Sequence, residues 1–340
     1  MKKLLNLIIC IAISNFCWSQ DVIFSQTLEN NIIKNPGLIG FFNEDYRIGL
    51  QARNQWSSLG TNYITTSAYT EIKKVLDENN GDYLSMAFSF LNDKAGSISF
   101  NRNEVMAGVN YNKSLRDNYH HSYISMGVLA QFTNRGINKN SMEFSTQIQN
   151  AQFNPQLLSY ENIQNESNSY FDLGIGLSYL VSPDNYENDN LYFAFGAYHL
   201  LEPSVKFLSS DVESKIYRKY VVNFGYSKKI GQNVYIVPVA NIQKQGPFQE
   251  ILFGAFADIK KYDKDARAKV FRFGTLYRLN DSFIPTIKLD YPSISFCVSY
   301  DFPSNLNLMP NRFYGSFELS VITKGFYKNS SVGSKMCPRF

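Results

Sequence analysis

Three histidines, two late cysteines and a loose run of carboxylates are the residues of this chain best equipped for chemistry, and their spacing argues against each use. His120 and His121 are adjacent and His199 stands far off. Neighbouring side chains on an extended segment face opposite ways, so the pair holds a metal only with ligands brought from elsewhere. A serine hydrolase needs a serine on a sharp elbow, a histidine and a polar group to orient it, and no serine here has that context. Asp258, Asp263 and Asp265 form a loose acidic cluster, but Lys260, Lys261 and Lys264 interleave them, which fits a solvated turn. Cys297 and Cys337 are too few to staple a chain of this size and read as two free thiols. No catalytic residue, cofactor or metal is expected.

The elements that would have to position such residues are those of an exported membrane protein. Lys2 and Lys3 precede an apolar run from Leu4 to Ile13 that only Asn6 strongly interrupts. That run is about half the roughly 20 residues a spanning helix needs, and the small Ser19 precedes Gln20, the pattern of a cleaved signal peptide. Cys10 follows Ile9 and Cys17 follows Phe16, not the small residue a lipoprotein needs. The expectation is a signal peptide at 1–19 and a chain that begins at Gln20. The net charge of +4 is spread along the chain with both signs mixed, so nucleic acid is not indicated.

The chain carries 23 Tyr and 27 Phe, yet no apolar stretch after the signal approaches a spanning helix. A transmembrane β-barrel reconciles these facts, because each strand shows lipid only every second side chain and aromatic girdles mark both interfaces. Period-two alternation in segments of about ten residues recurs throughout. Phe171, Leu173, Ile175, Leu177, Tyr179 and Val181 share one face; Asp172, Gly174, Gly176 and Ser178 share the other. Tyr46, Ile48, Leu50 and Ala52 alternate likewise with Arg47, Gly49, Gln51 and Arg53. Fourteen strands are expected, near 46–56, 61–72, 82–91, 103–113, 121–133, 169–181, 190–199, 216–228, 232–243, 249–260, 267–278, 283–290, 293–302 and 314–324. An even number places both ends of a bacterial barrel in the periplasm. Connections after even strands are mostly short, whereas 134–168 and 200–215 are the longest, the asymmetry of periplasmic turns and outer loops. Segment 141–148 would break the parity as a strand and is assigned to the large outer loop. The reading is an all-β chain: a signal peptide at 1–19, a periplasmic lead-in at 20–45 that packs under or into the barrel mouth, and a barrel at 46–340. Proline and glycine at Asn35-Pro36-Gly37 argue against a strand there, while Phe24, Leu28, Ile32 and Ile33 offer apolar anchors.

A set of short motifs runs in order along almost the whole chain. Gln20-Asp21 leads into Phe24-Ser25-Gln26, then Asn35-Pro36-Gly37 with Gly40, then Tyr46-Arg47 and Arg53-Asn54-Gln55-Trp56. Asn92-Asp93-Lys94-Ala95-Gly96, His199 with Glu202-Pro203, Arg218-Lys219-Tyr220, Gln245-Gly246-Pro247-Phe248, Ser299-Tyr300-Asp301 and the terminal Cys337-Pro338-Arg339-Phe340 follow. In this order the motifs resemble the PorP/SprF family of type IX secretion outer-membrane proteins. Gly37 departs from the family's usual alanine, Ser57 from a common proline, and 280–293 fits the pattern poorly. The resemblance implies a non-enzymatic outer-membrane barrel that helps a cognate, often very large and adhesin-like, secreted partner with a type IX sorting domain to reach and stay at the surface, alongside other type IX components. It makes the motif residues candidates for partner interaction. Trp56 reads either as an interface anchor or as part of that site; Arg53 reads as a carboxylate clamp for a loop or partner or as an internal salt bridge. A turn at Gly246-Pro247 needs neither Gln245 nor Phe248, which leaves those two for recognition. The rival reading is a channel or uptake porin for small solutes, and a surface lipid hydrolase is disfavoured.

Overall fold

The computed structural model describes residues 21–56, 63–77, 80–96, 100–115, 121–138, parts of 142–158, 166–182, 189–205, 214–262, 268–304 and 315–327. The expected signal peptide, Gln20, His120, the His121 side chain, Asp263, Asp265 and Cys337 lie outside them.

Fourteen antiparallel strands close into a barrel. In chain order they are β1 Tyr46–Gln55, β2 Tyr63–Asp77, β3 Asp82–Ala95, β4 Phe100–Ser114, β5 His121–Gly136, β6 Ser167–Ser182, β7 Asp189–Tyr198, β8 Lys219–Lys229, β9 Val234–Gln245, β10 Phe248–Tyr262, β11 Ala268–Arg278, β12 Ser282–Asp290, β13 Ile294–Pro303 and β14 Ser316–Gly325. Each pairs with its sequence neighbours, and β1 pairs with β14 from Tyr46↔Gly325 to Gln55↔Ser316. Closure leaves no strand edge with unpaired backbone groups, the condition for crossing hydrocarbon. All fourteen expected strands are present. β12 forms despite its weak fit to the family pattern, because Phe283, Ile287 and Leu289 still alternate with Ser282, Ile284 and Thr286. Several strands run to fifteen or sixteen residues and extend past the apolar band. Ile148–Gln149 pairs with Gln152–Phe153 in a short ladder outside the wall, in keeping with a loop assignment for that region.

The outer face is apolar and exposed, the inner face polar and buried. On β6, Phe171, Leu173, Ile175 and Leu177 are exposed while Asp172 and Ser178 are buried. An empty lumen would leave the inner face wet; here the segment before β1 fills it. Ser25 bonds to Glu318 of β14 and Asp301 of β13, Asn35 to Asn223 of β8, and the Gly37 carbonyl accepts from Asn110 of β4 and Ser178 of β6. A segment bonded to walls all round runs inside the barrel. It contains one helical turn, α1 Asn31–Lys34, and a 3-10 turn at Pro36–Leu38.

The Asn35-Pro36-Gly37 turn explains three inward glycines. A Cβ at Gly127 of β5 would lie 2.1 Å from the Pro36 carbonyl oxygen, and one at Gly176 of β6 would lie 2.3 Å from Asn35 Oδ1. Gly196 of β7 completes the cradle beneath the Asn35 amide. Only residues without side chains let two backbones approach so closely.

This segment traverses the whole lumen. Asp21 meets Arg102, His199, Lys219 and Gln245, at the long-loop ends of β4, β7, β8 and β9. Gly40 and Asp45 meet Glu71 and Lys73 near the short-turn end of β2. The sequence reading has a periplasmic lead-in that packs under or into the barrel mouth; in the structure the segment runs inside the barrel, with Asp21 at the rim opposite Asp45. The physical reason is the spread of apolar residues, since Phe24, Ile32, Leu38 and Ile39 are all buried and need wall along its full length.

Asp258 is a second correction. It belongs to no solvated turn but points inward from β10, opposite Arg272 of β11, with Arg272 Nε 2.6 Å from Oδ1 and Nη2 2.7 Å from Oδ2. Lys260, one of the lysines thought to solvate it, lies buried over the Tyr235 ring.

Candidate functional site at the long-loop rim

Most of the motif residues gather at the long-loop end, around a cavity of about 470 Å³. Its wall includes Arg53, Gln55, Trp56, Asp93 and Phe248, together with Asp21, Glu250 and Arg278. β1 delivers Arg53 inward and Asn54 outward by simple alternation, and Trp56 follows directly after its end at Gln55. Trp56 takes a left-handed φ of 59°, and its ring packs edge-on to Tyr63 at 5.1 Å. Among the described residues the other non-glycine positions with positive φ, His199, Glu202 and Asn280, stand at the same rim. Such a conformation costs roughly 1 to 3 kcal/mol, and its concentration at one rim marks a place where geometry outranks local comfort.

Beneath the cavity lies a buried ionic network. Arg53 Nη2 is 3.1 Å from Asp301 Oδ2 and Nη1 is 3.3 Å from Glu318 Oε1; it also donates to the Ile23 carbonyl. Of the two readings of Arg53, the internal salt bridge is the one formed. Arg278 reaches Asp301 at 2.9 Å, Asp281 at 3.0 Å and Glu250 at 2.9 Å. The Glu250 contact is one of charge, because Arg278 Nε makes no directional hydrogen bond. Phe24 is buried, and Ser25 and Gln26 fasten the filling segment to this network: both backbone N–H groups donate to Glu318, and Gln26 Nε2 donates to Ser299 Oγ. Ser25, Gln26 and Arg53 thus serve one joint.

A second joint holds Asp21. Arg102 Nη1 is 2.9 Å from Oδ1, while Lys219 Nζ and His199 Nε2 are each 2.7 Å from Oδ2. His199 Nδ1 lies 2.6 Å from Asp172 Oδ2, so the imidazole bridges two carboxylates, which only the doubly protonated ring satisfies. Burial alone would raise the Asp21 carboxyl, but the charges of His199, Lys219 and Arg102 hold it well below the usual range. Burial alone would lower His199; the Asp21 charge and the hydrogen bonds with both carboxylates raise it instead.

The remaining motif residues divide between turns and surface. Gly96 and Gly246 take positive φ in the β3–β4 and β9–β10 turns, and Pro247 completes the latter. The Gln245 side chain faces inward, where its Oε1 accepts from the Asp21 N–H at 3.1 Å. Arg218 and Glu202 form an exposed pair at 3.5 Å beside Pro203. Asp93 accepts from Thr65 Oγ1 at 2.6 Å and forms no ion pair among the described residues. Asn35 and Pro36 sit deep in the glycine cradle, far from this rim, and Asn54 faces outward. Sequence reasoning missed Asp172, Arg102, Arg278 and Glu318 as members. Alternation had placed Asp172 on the inner face, but its partners come from strands distant in the chain.

The family model for the type IX secretion system membrane protein PorP/SprF matches residues 17–322. No curated protein matches the sequence. Among solved structures, the Ralstonia pickettii toluene transporter TbuX is similar at 10% identity and a TM-score of 0.47, covering 87% of this chain and 93% of its own. The CymD monoaromatic hydrocarbon channel gives 10% and 0.46 over 92% and 95%, and the NanC porin 13% and 0.36 over 82% and 99%. With the ordered motifs and the closed fourteen-stranded barrel already described, the match over nearly its whole length means that this chain belongs to the PorP/SprF family of type IX secretion system membrane proteins and is an outer-membrane β-barrel.

Proposed function

We propose that this barrel is a non-enzymatic dock that helps a cognate type IX cargo, a large secreted protein with its own sorting domain, to reach and stay on the cell surface, in contact with other components of the system. The observation that carries this reading is the aromatic and charged cavity at the long-loop rim, set above a lumen filled by the chain's own segment. A filled lumen bonded to every side of the wall suits a binding platform better than a path for solutes. An outer-membrane barrel has no access to ATP, so its contribution to export is binding energy and geometry, concentrated in a few contacts at a preformed site. The rim residues that spend least of themselves on the barrel, Trp56, Asp93 and Phe248, are the first candidates, with the long connection between β5 and β6 a further one.

Deleting the gene and comparing surface proteomes tests this. One cognate protein should leave the surface while general type IX export continues. An unchanged surface set, with loss only of uptake of a small solute, would favour the channel reading instead.

A further inference from the structure

The cavity has a charge surplus that says what kind of group it takes. In the network beneath it, two guanidinium groups, Arg53 and Arg278, serve four carboxylates: Glu250, Asp281, Asp301 and Glu318. Asp93 adds a fifth, bonded to the Thr65 hydroxyl. Arg102 lies opposite Asp93 in register, but its guanidinium is engaged by Asp21 and Glu104. One Asp301 oxygen, Oδ1, is buried without any hydrogen-bond partner. Of these carboxylates, Glu250, Asp301 and Glu318 are buried, three to two guanidinium groups, while Asp93 is half-buried and Asp281 exposed; buried carboxylates in excess of cations are costly, and the cost falls when a cation arrives. The wall also carries four aromatic rings, those of Trp56, Tyr63, Phe100 and Phe248. Ring faces attract cations and repel anions, and any anionic guest must first displace a carboxylate from Arg53 or Arg278. At about 470 Å³ the space far exceeds the roughly 30 Å³ of a water molecule and admits a long side chain.

We propose that this cavity seats a cationic side chain, an arginine or lysine of the docked partner, between the Trp56 and Phe248 rings and the surplus carboxylates, with Asp93 its principal ion-pair partner. The proposal rests on the docking reading and specifies the chemistry of the contact. Both partner side chains share that chemistry, a long apolar stem with a charged head, which suits a cavity with rings in its wall and carboxylates beside them.

Trp56 is a built-in reporter, since the only other tryptophan of the chain is Trp18. The full chain carrying Trp18→Phe, folded in detergent, is titrated with N-acetyl-arginine amide and N-acetyl-lysine amide while Trp56 emission is followed. N-acetyl-citrulline amide is the neutral isostere and N-acetyl-glutamate amide the anion. The cationic probes should give a saturable change, and citrulline should bind at least about tenfold more weakly. Asp93→Asn should weaken the arginine probe by a similar factor, with the heat-modifiable gel mobility of a folded barrel retained. Asp281→Asn, at an exposed turn, supplies a second variant where Asp93→Asn does not fold. Equal binding of citrulline and arginine, a preference for glutamate, or wild-type affinity in the folded variants overturns the cation site. In cells, a folded Asp93→Asn that has lost the arginine probe yet retains the cargo overturns the site's role and leaves docking intact. An unchanged surface proteome in the deletion strain overturns docking while the fluorescence result stands.

Discussion

Replacing Gly176 by alanine isolates the joint between the filling segment and the wall. The new Cβ would lie 2.3 Å from both Asn35 Oδ1 and the Gly37 nitrogen, the two ends of the 2.9 Å hydrogen bond that shapes the turn. The atoms it meets are the backbone and short side chain of a tight turn, and Pro36 packs against Gly127 on the adjacent strand, so the turn has little room to retreat. Overpacking of this kind costs about 1 to 3 kcal/mol, and leaving the buried Gly37 N–H unpaired costs about 1 to 3 more. The wall itself loses nothing, because alanine keeps both backbone hydrogen bonds of its strand. The penalty of roughly 2 to 6 kcal/mol therefore falls on the docked segment, a shift of roughly thirtyfold or more towards its release.

The variant should still run as a heat-modifiable folded barrel. Limited proteolysis in detergent should cut within 21–44 markedly faster than in the wild type, and planar bilayers should show conductance steps. Gly136→Ala is the control, since its Cβ would meet nothing closer than 3.6 Å. Identical proteolysis and no conductance in Gly176→Ala would refute the reasoning that a glycine cradle holds the segment.

Three further outcomes follow from the same geometry. Arg53→Ala should lower barrel stability by about 3 to 5 kcal/mol in urea unfolding, because Glu318 is left buried without its cation, and Arg53→Lys should recover only part of it. The Asp21 joint should be tightest at mildly acidic pH: a raised His199 contributes fully below its ordinary 6.5 and fades as pH climbs through the raised value, while a lowered Asp21 contributes fully above its ordinary 3.8 and fades as pH falls through the lowered one. Protection factors from hydrogen exchange at residues 22–25 should follow that profile, and His199→Gln should flatten its alkaline side. Cysteine placed at Gln149 should react with an impermeant reagent on intact cells and cysteine at Gln232 should not; the reverse pattern would invert the barrel in the membrane.

The wall was legible in the sequence because period-two alternation is local. Phe171 to Tyr179 against Asp172 to Ser178 needs no knowledge of any other strand, and even β12 could be read that way. The filling of the lumen was not legible, since it depends on pairings such as Ser25 with Glu318 and Asp21 with Arg102, across 293 and 81 residues. Alternation shows that Gly127 and Gly176 face inward; it is silent on their forming one cradle. The acidic reading of Asp258 failed for the same reason. Neighbouring lysines in sequence suggested solvent, whereas the residue that neutralises it, Arg272, stands on the next strand.

The motif residues also prove to be of two kinds, and the difference decides where specificity for a partner can reside. Ser25, Gln26, Asn35, Pro36, Arg53 and Gln245 spend their hydrogen bonds or packing on the filling segment. They are joinery, and changing them should cost assembly before it costs recognition. Trp56, Asp93 and Phe248 border open space and spend little on the barrel, so their substitution should leave folding intact and alter what binds. A common rim chemistry of this kind would let any member of such a design grip one conserved feature of its cargo. Discrimination between cargoes must then come from the loops, which can change freely, because a polar side chain on the lipid face of the wall costs roughly 2 to 4 kcal/mol at the midplane. Exchanging the loop at 137–166 with that of a related barrel should therefore redirect which protein is retained at the surface while heat-modifiable folding and arginine-probe binding at Trp56 stay unchanged. Loss of arginine-probe binding on that exchange would show that loop and cavity form one site, and the division of labour argued here would fail.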